Sequence, residues 1–242
     1  DMDGHFTWAG GQVGVVYDIN DCHSVGAEYQ YNYWGNKDFS ESWTERKLAD
    51  VTSRSESVYD NSNRSHMMTA TLNYIYKLDQ MGSTFKLIGD YTDSKSPAAN
   101  NYFDTTFDPL TPTIRKDSTY RYAANSHYQM ATATAALEKV LSQKVILKAG
   151  LKYTYNNNAN KADYEYLKNE EWLYNDHNSY DIGYTENIGA AYLIATARLG
   201  RVSLVGGLRG EYTSFRSADN LVKQVPMKIS FWVFSTSLVN HA

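Results

Sequence analysis

The chain has 242 residues, a formal net charge of -4, and 21 tyrosines against only 4 prolines. Its single cysteine, Cys22, excludes an intrachain disulfide and a cysteine-based metal cage. The charge, without any basic cluster, gives no reason to expect nucleic acid as a partner. No run of about 18 apolar residues is present, which excludes a transmembrane helix. A transmembrane barrel remains open, because alternating strands keep the mean hydropathy low, here -0.55.

Eight segments alternate between apolar and polar residues, and this period of two indicates β-strands. Residues 119–140 predict one long strand with a bulge, although its alanines leave a helix over 131–141 as an alternative. A ninth strand begins near residue 231. In chain order, the eight segments are 6–19, 25–34, 66–79, 83–92, 119–140, 144–155, 184–199 and 202–213.

The connections between these segments alternate in length. Short links lie at 20–23, 79–82, 140–143 and 199–201, and long polar links lie at about 35–62, 97–118 and 157–180. This alternation puts the short turns at one end of a sheet and the long loops at the other, as in an outer-membrane barrel. The sequence therefore predicts an all-β fold, an antiparallel up-and-down meander of about eight to nine long strands that is part of a transmembrane β-barrel.

Two other functional classes share this strand pattern. One is a soluble or surface β-sheet binding module, in which the apolar faces form a core, and the other is a structural outer-membrane barrel without transport. Strands of soluble sandwiches usually have about five or six residues, whereas these have a dozen or more, enough to cross a hydrocarbon layer. Tyrosines also cluster beside the long loops, for example Tyr31, Tyr33, Tyr153 and Tyr155, which suits an interfacial aromatic girdle.

Several motifs follow one another in a specific order along residues 73–96, 147–158, 184–215 and 231–242. They resemble the barrel of TonB-dependent receptor-like outer-membrane proteins, in particular the outer membrane protein beta-barrel family. One departure is Phe234 followed by Ser235 where that family has Phe-Pro, which leaves the course of residues 217–234 open. The matching positions are Tyr76, Leu78, Asp79, Gly82, Asp90, Tyr91, Gly150, Leu151, Lys152, Tyr153, Glu186, Asn187, Tyr192, Gly207, Leu208, Arg209, Glu211 and Thr213.

The resemblance implies more than this chain contains. It implies a signal peptide, a small β-sandwich and a plug domain before the barrel, and about 22 barrel strands in all. Residues 1–242 would then be a single segment of an incomplete barrel, with an independently closed eight-stranded barrel as the structural alternative. The implied function is uptake of a nutrient ligand across the outer membrane of a Gram-negative bacterium. The implied partners are outer-membrane lipid, the plug domain, an energy-transducing TonB-type protein and a surface lipoprotein.

Two groups of residues are candidates for the functional site. If the apolar strand faces meet lipid, seven charged residues on the other face point into the lumen, where they either pair with one another or hold the plug and line the substrate path. Four aromatic residues in the long link 157–180 suit ligand capture or packing of the loop on its neighbours. The lumen candidates are Lys86, Asp90, Lys148, Lys152, Glu186, Arg209 and Glu211, and the loop candidates are Tyr164, Tyr166, Trp172 and Tyr174.

The sequence carries no signature of catalysis. None of the six histidines has the spacing to another ligand that a metal site on a strand or helix needs. No nucleophile elbow, phosphate loop or His-Glu-x-x-His motif occurs. We therefore predict no enzyme activity, no catalytic residue, no metal and no cofactor.

Overall fold

The computed structural model describes residues 2–48, 51–107, 114–200, 202–217 and 222–236. In these ranges the chain forms one sheet of ten strands. No helix among these residues is long and apolar enough to cross a membrane. The strands are β1 Met2–Asn20, β2 His23–Leu48, β3 Val51–Lys77, β4 Thr84–Phe107, β5 Ile114–Ser142, β6 Val145–Lys168, β7 Glu171–Tyr174, β8 Tyr180–Leu199, β9 Val202–Ser217 and β10 Val222–Thr236.

Nine of the ten strands form a continuous up-and-down meander. The order in the sheet is β1-β2-β3-β4-β5-β6-β8-β9-β10, and every neighbouring pair is antiparallel. The short strand β7 folds back on the end of β6 and lies off this path. The predicted antiparallel meander is confirmed, and residues 217–234, left open by the sequence, contain most of β10.

The predicted long loops are wrong over most of their length, because the strands continue through them. The register of β2 with β3 runs without interruption from His23–Tyr76 to Leu48–Val51. β4 continues to Phe107, β5 starts at Ile114, and β6 continues to Lys168. These stretches are polar on both faces, so they lack the apolar alternation by which a strand is recognised in a sequence. Their backbone groups are nevertheless paired with neighbouring strands.

The alanine-rich part of β5 is a strand, and the alternative helix over 131–141 is wrong. The pairing with β4 holds one register from Thr84–Glu138 to Thr106–Lys116, so the bulge predicted inside 119–140 is absent from this pair. The only register shift between β5 and β6 lies at the turn, between Val140 and Ser142. Pairing on both sides overrides the helix propensity of alanine, which is only a weak preference.

The two ends of the sheet differ. At the turn end, short links join β1 to β2, β3 to β4, β5 to β6 and β8 to β9, as predicted. The Asp79 carboxylate closes the β3–β4 link, because Oδ1 accepts the backbone N–H groups of Met81 and Ser83 at 3.0 and 3.1 Å, and Lys139 Nζ lies 2.7 Å from Oδ2. These hydrogen bonds hold the pKa of Asp79 well below its usual range. The opposite end, where the strands continue beyond the predicted segments, is called the extended end below.

The two faces of the sheet also differ. The apolar face carries cross-strand rows such as Leu137, Ala149, Leu193 and Leu208, which oppose one another in register. It is uncovered, since Leu72 is 66% exposed and Leu193 is 50% exposed. Among the described residues, the only buried apolar side chains are Ala162 and Ala190. The sheet therefore has no core of its own, and its apolar face needs an apolar environment. The opposite side is called the polar face.

Candidate functional site

All seven charged residues predicted for the lumen lie on the polar face. The register puts Lys86, Ala136, Gly150, Tyr192 and Arg209 in one row across five strands. The other predicted charged residues lie in neighbouring rows of the same face. Each of these strands therefore presents these side chains on the face that the sequence predicts. The seven are Lys86 and Asp90 on β4, Lys148 and Lys152 on β6, Glu186 on β8, and Arg209 and Glu211 on β9.

Most of these charges have partners on the same face. Lys148 Nζ lies 3.0 Å from a carboxylate oxygen of Glu138, and Arg209 Nη2 donates to Glu211 Oε2 at 2.7 Å. The Glu186 carboxylate accepts from the Asn156 amide at 3.0 Å. The contacts of Lys148 and Glu186 cross between strands but involve residues outside the seven, and Arg209 and Glu211 pair within β9, so no two of the seven pair with each other across strands.

Asp90 connects three strands. Its Oδ1 accepts the Thr71 hydroxyl at 2.9 Å, and its Oδ2 accepts the Thr132 hydroxyl at 2.7 Å. Lys86 and Lys152, in contrast, form no ion pair with any residue of the described part of the chain. Of the seven predicted charges, these two ammonium groups remain available to another domain or a ligand.

The four aromatic residues predicted for a loop lie in strands and are divided between the two faces. Tyr164 and Tyr166 belong to β6, and Trp172 and Tyr174 belong to β7. Tyr166 pairs with Leu173 and therefore shares the polar face with it, whereas Trp172 and Tyr174 project from the other side of the hairpin. The loop placement was wrong because the link 157–180 folds largely into β6 and β7.

On that other side, Trp172 is held by a charged neighbour. The Arg121 guanidinium carbon lies 4.3 Å from the centroid of the Trp172 ring, within the range of a cation–π contact. The Arg121 side chain also forms an ion pair with Glu165. Packing on neighbouring residues, the second sequence interpretation, therefore describes Trp172.

Sequence reasoning missed a stack of tyrosines on the polar face at the extended end. The rings of Tyr59, Tyr102, Tyr120 and Tyr164 follow one another across β3, β4, β5 and β6, with centroid distances of 4.8, 4.5 and 5.4 Å. We call these four residues the tyrosine ladder. Repeats of tyrosine at every second position in 120–122 and 164–166 are the sequence signal, but only the register across four strands brings the rings together.

Three phenol groups of the ladder, those of Tyr59, Tyr120 and Tyr164, have raised pKa values and are neutral. Burial raises the pKa of Tyr120 to about 12 and raises the pKa of Tyr59 and of Tyr164. Nearby, the hydrogen bond to Tyr180 raises the pKa of Tyr122 to about 12, with the two hydroxyl oxygens 3.3 Å apart. At physiological pH these groups therefore both donate and accept hydrogen bonds.

Three of the six histidines have structural partners. His23 stacks on Tyr76 at 4.4 Å, His66 Nδ1 lies 2.7 Å from a tyrosine hydroxyl, and His127 Nε2 lies 2.7 Å from an Asp93 oxygen. Within the described residues, no group of three or more histidine, cysteine, aspartate or glutamate side chains could hold a metal ion.

A family model agrees with the two-faced meander. The model described as "Outer membrane protein beta-barrel family" matches residues 76–226, which is more than half of the chain. The chain belongs to the outer membrane protein beta-barrel family. The resemblance found in the sequence is thereby confirmed, and this barrel lies in the outer membrane of a Gram-negative bacterium. A soluble binding module is excluded.

Two solved structures of TonB-dependent receptors share the fold of this family member, and a third has a lower score. FpvA of P. aeruginosa bound to heterologous pyoverdines has a TM-score of 0.55 at 10% identity, with 99% of this chain and 40% of that chain covered. FpvAI in its complex with pyocin S2 has a TM-score of 0.51 at 10% identity, covering 96% of this chain and 40% of that one. BauA, the ferric preacinetobactin receptor from Acinetobacter baumannii, has a TM-score of 0.42 at 11% identity, covering 95% and 43%. No curated protein matches the chain.

At these identities the likeness concerns the fold alone. The chain spans about two fifths of the length of these receptors, and it has the strand meander of a TonB-dependent receptor barrel.

Proposed function

We propose that this chain is the central part of an outer-membrane barrel that takes up a nutrient ligand, in the manner of a TonB-dependent receptor. The observation that carries the proposal is the two-faced sheet, with an uncovered apolar face and seven charged residues on the other. A barrel in a membrane requires this arrangement of faces, because its outer surface contacts lipid and its interior contains water.

The dimensions of the apolar face support a membrane crossing. On β6 the apolar face runs from Val145 through Leu151 to Tyr155. The ten residue-to-residue steps from Val145 to Tyr155 span about 33 Å along a strand. At a tilt of about 45° this length rises about 23 Å across the membrane, which agrees with the apolar band of about 25 Å in such barrels. Tyr153 and Tyr155 then lie at the outer interface as part of an aromatic girdle.

The polar face then lines the lumen. Lys86 and Lys152, which have no carboxylate partner among the described residues, would contact the plug domain or the ligand on its path. In this proposal residues 1–242 are one segment of a larger barrel, whose full chain contains the plug and works with a TonB-type protein and a surface lipoprotein. Tyr164 and Tyr166 contact the ligand at the extended end, while Trp172 and Tyr174 form the outer side of the β6–β7 hairpin. The chain is not an enzyme in this account.

Uptake is tested in a strain that lacks the gene. We expect the deletion to abolish growth on at least one scarce nutrient, and loss of the TonB-type protein to give the same defect. Reintroducing the full-length gene should restore growth. Unchanged uptake of every nutrient in the deletion strain would favour the second candidate, a structural barrel without transport.

The orientation of the barrel predicts the accessibility of Cys22. This exposed residue lies in the β1–β2 link at the turn end, which faces the periplasm in our account. A membrane-impermeant maleimide should leave Cys22 unlabelled in intact cells and label it after the outer membrane is permeabilised, as read from the peptide that carries it. An Asn175→Cys variant, with its cysteine after β7 at the extended end, is the matched control and should be labelled in intact cells. Labelling of Cys22 in intact cells would contradict this orientation.

A further inference from the structure

The polar face is divided into two zones along the strands. Five of the seven charged residues discussed above lie nearer the turn end, and two stand at the boundary: Asp90, in one row with Thr154, and Glu186, in one row with Asn156. Beyond them, the polar-face positions of 59–67, 92–102, 120–130, 154–166 and 180–184 carry no Asp, Glu, Lys, Arg or His at all. These positions hold asparagine, tyrosine, serine, threonine and a few apolar residues. We call this set the uncharged zone.

The absence of charge is a property of this face and not of the sequence stretch. The opposite face of the same strand segments carries many charges, including Arg64, Asp93, Lys95, Arg121 and Lys161. The charged residues of these segments thus lie on the other side, so the uncharged zone is a feature of one face and not of the local composition. Three carboxylates stand at its margins. Asp38 and Glu186 are each hydrogen bonded to an asparagine amide, at 3.4 Å to Asn61 and at 3.0 Å to Asn156, and Asp104 is the next residue of this face after Tyr102.

The groups in the uncharged zone are arranged as a hydrogen-bonding wall. The tyrosine ladder crosses four strands, and Tyr59 donates to Asn100 Oδ1 at 3.0 Å. Asn158 donates to the Tyr184 hydroxyl at 3.3 Å and accepts from Asn160 at 2.6 Å. Amides and neutral phenols both donate and accept, as do the hydroxyl groups of a sugar. The aromatic rings add apolar surface beside these polar groups.

We propose that the uncharged zone binds a neutral, polyhydroxylated ligand of the oligosaccharide class. The inference rests on the proposed uptake function and names the substrate class of the same barrel. An anionic ligand would need arginine or lysine at this surface to replace its hydration, and neither is present in the zone. A neutral sugar chain instead exchanges hydrogen bonds to water for hydrogen bonds to amides and phenols.

The experiment measures binding to the purified full-length protein by calorimetry. The neutral probes are hexasaccharides of glucose, mannose and galactose, and the anionic probes are oligogalacturonate and ferric citrate, each at low and at high salt. We expect at least one neutral hexasaccharide to bind with an affinity that salt does not change, because no ion pair forms. Asn158→Ala should weaken this binding about tenfold, the loss of one well-placed hydrogen bond.

Two further variants separate binding from folding. Tyr164→Phe removes only the phenol oxygen, leaves the ladder stacked, and should also lower the affinity. Asn157→Ala changes the neighbouring residue, whose side chain lies on the other face, and should leave the affinity unchanged. Binding of anionic probes alone, or of none of the neutral probes, would overturn the inference. If the deletion strain still loses uptake of some other nutrient, only the substrate class is wrong; if it loses none, the proposed function fails too.

Discussion

Replacing Leu87 by arginine is expected to prevent assembly of the barrel, whereas Ile88→Arg, one residue further along β4, is expected to assemble. Leu87 lies on the apolar face in the row with Tyr74, Ala135 and Leu151, and it is 43% exposed. In our account its side chain meets the lipid interior, where an arginine costs about 2–4 kcal/mol. Ile88 lies on the polar face, which in our account lines the lumen, where a charge remains hydrated.

The pair is a matched test, because both residues are apolar and both lie on the same strand. The measurement is the fraction of folded protein in outer-membrane preparations, read from heat-modifiable migration in gels. Assembly of Leu87→Arg together with failure of Ile88→Arg would show that the faces are reversed. Equal assembly of both variants would show that neither face meets lipid.

Removing the Asp90 carboxylate is expected to lower the free energy of unfolding by about 1–3 kcal/mol. Its two oxygens accept the hydroxyls of Thr71 and Thr132 and so join β3, β4 and β5 on the polar face. Hydrogen bonds to a charged acceptor contribute about 1.5–3 kcal/mol, and their loss leaves two hydroxyls without that partner. The measurement is urea unfolding of the full-length barrel in lipid vesicles, with Asp90→Ala compared with the wild type.

A double-mutant cycle assigns this effect to the bridge itself. Thr132→Ala should lower the free energy of unfolding less in the Asp90→Ala background than in the wild type, because Asp90→Ala has already removed the hydrogen bond. Thr134→Ala is the control, because Thr134 lies on the same face two residues further along β5. It should lower the free energy of unfolding by the same amount in both backgrounds. Strict additivity of Asp90→Ala and Thr132→Ala would contradict a bridge between the three strands.

Much of the fold follows from the sequence, for a physical reason. A strand with one apolar and one polar face alternates with a period of two, so β6 was recognised from Val145, Leu147, Ala149 and Leu151. The same parity also assigned the seven charged residues to one face, since pairing without internal bulges preserves it. For this reason Lys86 and Arg209, more than a hundred residues apart in the chain, lie in one cross-strand row.

The extended end could not be predicted in the same way. A strand that is polar on both faces has no periodic signal, so the continuation of β2, β3, β4, β5 and β6 resembled loop sequence. The tyrosine ladder depends on register across four strands, which no local pattern in the chain encodes. Trp172 looked like an exposed loop residue because its contact with Arg121 requires β7 to fold back on β6. The part of the strands with apolar alternation could thus be predicted from the sequence, whereas the candidate ligand surface at the extended end could not.

The most direct test of the two-faced barrel is a scan of β6 with spin labels. Single cysteines at residues 147 to 154 of the full-length protein, labelled and reconstituted in lipid vesicles, report contact with lipid through oxygen and contact with water through a soluble nickel complex. We predict that Leu147, Ala149, Leu151 and Tyr153 are accessible to oxygen, and that Lys148, Lys152 and Thr154 are accessible to the nickel complex. Alternation in the opposite phase, or no alternation at all, would contradict the account.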